Sequence, residues 1–420
     1  MTIGNVTGDQ KVTAEFRLRT PLSGILNDRL RKVLPGGETR SVTHYSPYPV
    51  AIREGHGPRL WDLDGNEYLD VLNNYTSLVH GNAFAPVVEA IQDAVAKGSA
   101  FPAPHLPLAE LAECLVDRFP GVELVRFTNS GTEAAVLAAR IARAVTKRER
   151  IVMFEGGYHG TAPDFVDASS STSAVPYNDL TRLEAVLDPS VAAIFVEPFL
   201  GSGGVIPAAP GFLEGVQELA QSVGALLVLD EVQSLRNAYD GWHGSQSLRP
   251  DLILMGKIIG GGLPVGAVGG RREPMSVTAA DVSGSILHSG TFNGNPVTAA
   301  AGSATLQALT RERVEALNQA SAQLADGIQL EGRKAGLPVT VTRSGSIMHV
   351  HLRGDIPRNA VEARRDPPTA QAALHLALLL EGVYAAPRGM LNLSTVTDAH
   401  DQREVLRRYG RAFERLRATA

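Results

Sequence analysis

Four short apolar runs, "RIVMF" (150–154), "VAAIFVEP" (191–198), "ALLVLDEV" (225–232) and "DLILMG" (251–256), punctuate the middle of the chain. Each is bounded by turn residues. Strands with so few polar positions have no face to offer water, so both faces must be covered. The intervening "GTEAAVLAARIARAVTKR" (131–148) and "PGFLEGVQELAQSVG" (210–224) read as helices that supply the cover. Strand and helix in alternation predict an α/β fold on a mostly parallel sheet. Such folds place ligands beyond the carboxyl ends of their strands, so chemistry is to be sought where these runs end.

The flanks read differently. Residues 1–55 suggest a helix followed by a glycine turn, "LPGGETRS". After residue 310 come a long helix, "ERVEALNQASAQLADGIQLEGRKAG", the strands "PVTVTR" and "SIMHVHL", and the helix "PTAQAALHLALLLEGV", an α+β pattern. A chain of 420 residues has room for two or three domains. The one linker-like stretch is "EARRDPP" (362–368). A net charge of -5 without a basic block gives no footprint for nucleic acid. No window approaches a membrane span, and the first twenty residues lack the apolar core of a signal peptide. Cys114 is the single cysteine, which leaves neither an internal disulfide nor a cysteine metal cluster and fits a reduced cytoplasm.

The run ending in Gly256 continues as "LMGKIIGGGLP" (254–264), one lysine among apolar residues and glycines. A P-loop is excluded, because Asp251 stands where a glycine is required and Ile258 where a serine or threonine is. A lysine here either snorkels to the surface or lines the site at the strand ends. In the second case it loses hydration, its pKa falls, and its amine can attack a carbonyl to form a Schiff base.

Three further stretches bear on which carbonyl. "RFTNSGTEA" (126–134) sets Asn129, Ser130, Gly131 and Thr132 at a helix start, which serves equally as an ordinary cap or as an anion site suited to phosphate. "VLDEVQS" (228–234) ends a strand with Asp230 and Glu231, either able to hold a cation, ligate a metal or act as a base. "FEGGYHG" (154–160) puts Tyr158 and His159 in a glycine loop, where flat rings can stack on a flat ligand. A phosphate cradle, a strand-end carboxylate, a stacking ring and a desolvated lysine together describe a pyridoxal 5'-phosphate (PLP) site. Lys257 takes the aldehyde, and Asp230 keeps the pyridine nitrogen protonated.

In order, "VRFTNSGTEA", "FEGGYHG", "PYND", "LVLDEV", "PDLILMGKIIGGGLPVGAVGGRREPM" and "HSGTFNGNP" resemble the class III, fold-type I PLP-dependent aminotransferases, in the branch that holds the glutamate-1-semialdehyde aminomutases. The resemblance covers most of residues 35–310. It implies a large PLP-binding domain (56–310) with a seven-stranded, mostly parallel sheet. It also implies a small α+β domain (311–420) joined by the N-terminal segment (1–55), and a homodimer with active sites at the subunit interface. It assigns phosphate to Ser130, Gly131 and Thr132, ring stacking to Tyr158, the opposite ring face to Val232, and the ring nitrogen to Asp230. Gln233 is placed near the ring hydroxyl, and Thr291 at the phosphate of the neighbouring subunit.

Arg40 in "GGETRSVTHYSPYPV", Tyr75 in "NNYTS" and Arg388 in "EGVYAAPRGMLNLS" resemble the substrate residues of the β-phenylalanine aminotransferases. Guanidinium forks suit carboxylates. The aminomutases carry a serine–glutamine–phenylalanine–glutamate run where this chain has "PRGM". The resemblance therefore implies a ping-pong aminotransferase that passes an amino group from a carboxylate-bearing amine to a 2-oxo acid. An aminomutase or racemase, or a non-catalytic PLP-fold protein, is the alternative. The departures lie around the pocket: Asn82 in "VHGNAFAPV", "DEVQSLRNAYDG" with Arg236 but without the usual glycine, and a shortened segment between "YHG" and "PYND". His349 and His351 in "SIMHVHL" have no carboxylate at ligand spacing in the sequence and read as structural; no metal is expected. Cys114 reads as buried packing.

Overall fold

The computed structural model describes residues 7–166, 171–246 and 248–418. Residues 1–6 of the N-terminal segment and 167–170 of the shortened segment lie outside the described residues.

Seven strands form the central sheet: β1 (Leu124–Thr128), β2 (Arg150–Phe154), β3 (Thr172–Val175), β4 (Val191–Val196), β5 (Leu226–Asp230), β6 (Leu252–Gly256) and β7 (Gly266–Gly270). Their order is β1-β7-β6-β5-β4-β2-β3. The β3-β2-β4-β5-β6 pairs are parallel, and β7 runs antiparallel to both β6 and β1. Alternate residues serve opposite faces. Val228, Leu252 and Leu254 pack on the helix Gly131–Thr146 (α1) through Ala135, Ala138 and Ile141. Leu227, Leu229 and Ile194 meet Phe212, Leu213 and Val216 of the helix Phe212–Val223. Both faces are thus dry, as the apolar runs require.

The two ends of the chain pack together. Strands Ile52–His56, Arg59–Asp62 and Glu67–Asp70 form a sheet with Val383–Tyr384, whose Val383 pairs with Leu69. Val12 and Phe16 of the helix Thr7–Arg19 sit against Leu376, Leu379 and Leu380 of the helix Pro368–Leu380. Thr340–Ser344, Ile347–His351 and Met390–Asn392 make a second small sheet, with the helices Arg311–Lys334 and Ala399–Ala418 packed nearby. Among the described residues no helix is long and apolar enough to cross a membrane.

Candidate active site

Lys257 follows β6 directly and opens a single helical turn, Lys257–Gly260, with a left-handed φ of 51°. A non-glycine residue held there stores strain of order 1 kcal/mol or more, the kind that persists where the surroundings fix a functional group. Gly261 must also be left-handed (φ 58°), and a β-carbon on it would lie 2.5 Å from the Ala301 carbonyl. The chain therefore turns tightly and leaves the amine in the cleft. Burial lowers the Lys257 pKa to about 8, although Asp230 and Glu197 pull the other way.

Asp230 ends β5 and is buried. Its Oδ2 accepts a hydrogen bond from His159 Nδ1 at 2.8 Å, and its Oδ1 accepts one from the Val232 N–H at 3.0 Å. Burial disfavours charge on His159, but the hydrogen bond and charge of Asp230, with Glu197 nearby, outweigh it and raise its pKa. His159 therefore differs from its expected role as a stacking ring. It is 3% exposed, lies among Phe165 and Phe195, and holds the carboxylate by its edge. Tyr158, 48% exposed, is the ring free to stack.

Glu197, just beyond β4, was not singled out from the sequence. Its Oε2 accepts from the Tyr158 N–H at 3.1 Å and its Oε1 from the Gly201 N–H at 3.3 Å, which ties down the Tyr158 loop. Burial is the main cause raising its pKa to about 7, with Asp230 adding to it and His159 opposing. The available signal was the carboxylate ending "VAAIFVEP", placed like the one ending "LLVLD".

At the start of α1, Ser130 Oγ caps Glu133 N at 3.2 Å while Glu133 Oε2 accepts from Asn129 N at 2.7 Å. The helix cap is present, and the N–H groups of Gly131 and Thr132 begin the helix with no preceding helical carbonyl to bind, as an anion site would require. The cradle lies close against β7, where a β-carbon on Gly266 would fall 2.0 Å from the Ser130 carbonyl. Val232 fits between Gly131 and Gly256.

These residues share one cleft of about 520 Å³, lined by Ser130, Gly131, Thr132, Tyr158, His159, Asp230, Val232, Gln233 and Lys257. Arg40 and Tyr75 form its rim. The Arg40 guanidinium lies 5.2 Å from the Tyr75 ring and donates to Asn74 Oδ1 at 2.8 Å. Tyr75 OH donates to the Val42 carbonyl at 2.6 Å. Asn73, Asn74, Tyr75 and Thr76 are all left-handed, and the buried Arg236 donates to the Thr76 carbonyl at 3.3 Å and to Asn392 Oδ1 at 2.9 Å. Burial lowers the Arg236 pKa to about 9. Arg388 does not line this cleft. It faces an adjoining one of about 630 Å³ that meets the first at Tyr158. Thr291 is exposed and lines neither.

Glu231 points away from the cleft. It is fully buried and accepts from Ser234 Oγ and from the Trp242 and His243 N–H groups, so its work is structural. His349 and His351 are buried too, and a carboxylate does lie beside them. Asp366, from the linker-like stretch, accepts from His351 Nδ1 at 2.7 Å. The opposite nitrogen of His351 meets the Gly204 carbonyl at 3.1 Å and Thr342 Oγ1 at 3.0 Å. Cys114 is half-buried against the core.

The donor set fits PLP. There are amides for a phosphate, a carboxylate for the ring nitrogen and an amine for the aldehyde. Gln233 adds a buried Oε1 without a partner among the described residues, an acceptor that would suit the ring hydroxyl. Fold and site together define a fold-type I PLP-dependent enzyme. The family model described as aminotransferase class-III matches residues 41–176 and 161–406. A glutamate-1-semialdehyde 2,1-aminomutase 2 of Geobacillus kaustophilus is 37% identical over 415 residues, covering 92% of this chain and 96% of the relative. The crystal structure of a β-phenylalanine aminotransferase from Variovorax paradoxus is 34% identical with a TM-score of 0.92, covering 96% of each chain. A lysine-to-alanine variant of a Pseudomonas aeruginosa PAO1 glutamate-1-semialdehyde aminomutase, in complex with PMP, is 27% identical with a TM-score of 0.91, covering 98% of each chain. The chain belongs to the class III aminotransferase family.

Proposed function

We propose that this enzyme is an aminotransferase that moves an amino group from a β-amino acid to a 2-oxo acid in two half-reactions. The observation that carries the reading is Arg388, an exposed guanidinium on the cleft that meets the cofactor pocket at Tyr158. It makes no ion pair among the described residues and suits a substrate carboxylate. Arg40, 5.2 Å from the Tyr75 ring on the cofactor cleft, offers a second fork, so the donor and the oxo acid each find one.

When bound, PLP supplies an aldehyde that holds the substrate nitrogen and a protonated ring that takes up electrons released at the substrate carbon. The protein's residues do the rest. Lys257, with a pKa of about 8, takes the proton from the substrate carbon and would deliver it to the carbon that carried the cofactor's aldehyde, the transfer that separates transamination from racemisation. Asp230, fixed by His159 and the Val232 amide, holds the proton on the ring nitrogen. Ser130, Gly131 and Thr132 bind phosphate, Gln233 accepts from the ring hydroxyl, and Tyr158 and Val232 close the two ring faces against water. Thr291 is exposed because it serves a neighbouring subunit's phosphate in a cytoplasmic homodimer. Within each subunit, residues 56–310 form the cofactor domain, and 311–420 with 1–55 form the small one.

The second reading, an isomerase acting within one substrate, is favoured by the 37% identical aminomutase. Product analysis separates the two. With β-phenylalanine and 2-oxoglutarate the expected outcome is glutamate and a 3-oxo acid in equal amounts. Conversion of glutamate 1-semialdehyde without any oxo acid, and no glutamate from the first mixture, would establish the isomerase instead.

A further inference from the structure

The helix Pro368–Leu380, "PTAQAALHLALLL", is apolar except for Thr369, Gln371 and His375. Gln371 and His375 stand four residues apart and so share a face. They are 8% and 3% exposed. Gln371 Nε2 donates to the Val350 carbonyl at 3.1 Å, but among the described residues its Oε1 has no partner, and neither nitrogen of His375 has one. His349, on the strand Ile347–His351, is buried with its Nδ1 also unpartnered. Buried polar atoms almost always find a hydrogen bond, so this cluster calls for an explanation.

All three side chains line the cleft of about 630 Å³ that holds Arg388 and meets the cofactor pocket at Tyr158. That volume far exceeds what a carboxylate fills. Its wall holds alanine, proline and glycine, the rings of Tyr45 and Tyr158, and the charged Arg364 and Asp366, with no leucine, isoleucine, valine, methionine or phenylalanine among the described residues. Burial keeps His375 neutral, lowering its pKa to about 3, and burial together with His351 and Arg388 does the same for His349. A neutral imidazole presents one N–H and one lone pair, and Gln371 Oε1 adds an acceptor. A hydroxyl group, which donates once and also accepts, can pair with one acceptor and one donor among them. A bare hydrocarbon ring would seal them off unpaired.

We propose that this cleft is a distal subsite for a hydroxyl-bearing side group of the amino donor, and that Gln371 and His375 select that group. This deepens the β-amino acid reading and rests on it for the donor's carboxylate. The test needs no turnover. Binding of 3-phenylpropanoate and its ortho-, meta- and para-hydroxyphenyl counterparts to the PLP-loaded enzyme is measured by calorimetry. At least one hydroxylated acid should bind about tenfold or more tightly than the parent, since a site built to hydrogen-bond an OH rejects the analogue without it. His375→Leu and Gln371→Leu should bring that ratio close to one while leaving the parent acid's affinity within a few-fold.

If no hydroxylated acid outbinds the parent, or none of the acids binds, the subsite is overturned. It is equally overturned if the ratio persists in both variants. The wild-type series decides alone should a variant fail to fold. Because the analogues carry no amine, a retained preference with failed transamination would count against the reaction and leave the subsite standing.

Discussion

The cleft around Lys257 and the cleft around His375 touch at Tyr158, yet their polar groups are handled in opposite ways. In the first, charge is met by the protein itself: Asp230 is held by His159 and an amide, and Glu197 by two more amides. In the second, the neutral Gln371, His349 and His375 are buried with polar atoms that have no partner among the described residues, beside Arg388, which makes no ion pair among them although Asp366 lines the same cleft. Electrostatic preorganisation of the first kind suits one fixed occupant whose charges are always in the same place. Groups of the second kind gain partners only when a ligand of matching shape arrives, which is how a site comes to discriminate. Chemistry and selection are thus divided between the strand ends of the central sheet and the wall contributed by the C-terminal region.

Substitutions can break that division or sharpen it. Lys257→Ala should retain PLP by its phosphate contacts and lose turnover by at least about ten-thousand-fold, because proton carrier and tether vanish together. Transamination near the wild-type rate would remove Lys257 from both roles. Asp230→Asn should lower kcat about a hundred- to a thousandfold with the fold intact, as the ring nitrogen loses its charge partner. A thermal melt and a kcat measurement on the same preparation check this.

On the other side, Arg388→Met should raise KM for a β-amino acid by about tenfold to a hundredfold, the scale of one lost charge-assisted fork, with a smaller change in kcat. A fall in kcat alone would assign Arg388 to the chemistry instead. The last effect is a pH dependence. A Lys257 pKa of about 8 lies below the ordinary value, so its amine becomes free as pH rises through 8. Capture of added PLP by cofactor-free enzyme should therefore quicken roughly fivefold to tenfold from pH 7 to 9 and then level off. A rise that continues to pH 10.5 would mean that burial does not depress this lysine.

The division also marks how far the sequence could be read. The buried strands and the residues at their ends were legible, because apolar runs and caps are local signals. Lys257, Asp230, Ser130 and Tyr158 each stand at a run's end, and the structure gathers them in one cleft. His159 was legible as a site residue but not in its role, since its bond to Asp230 spans 71 positions. The strand Ile52–His56 went unseen because it is mostly exposed and carries no alternation. Gln371 and His375 were absorbed into an apolar helix pattern, where only the cleft beside them reveals which face they occupy. Asp366 looked like linker, and only the folded chain brings it back to His351.

Transfer and isomerisation part most cleanly in the absorbance of the PLP-loaded enzyme during single-turnover mixing with one amine at a time. The panel is β-phenylalanine, β-aminobutyrate, glutamate, alanine and a semialdehyde substrate. The yellow band should bleach with a β-amino acid and return when a 2-oxo acid is added. A spectral cycle with the semialdehyde alone, completed without any oxo acid, would contradict the aminotransferase reading.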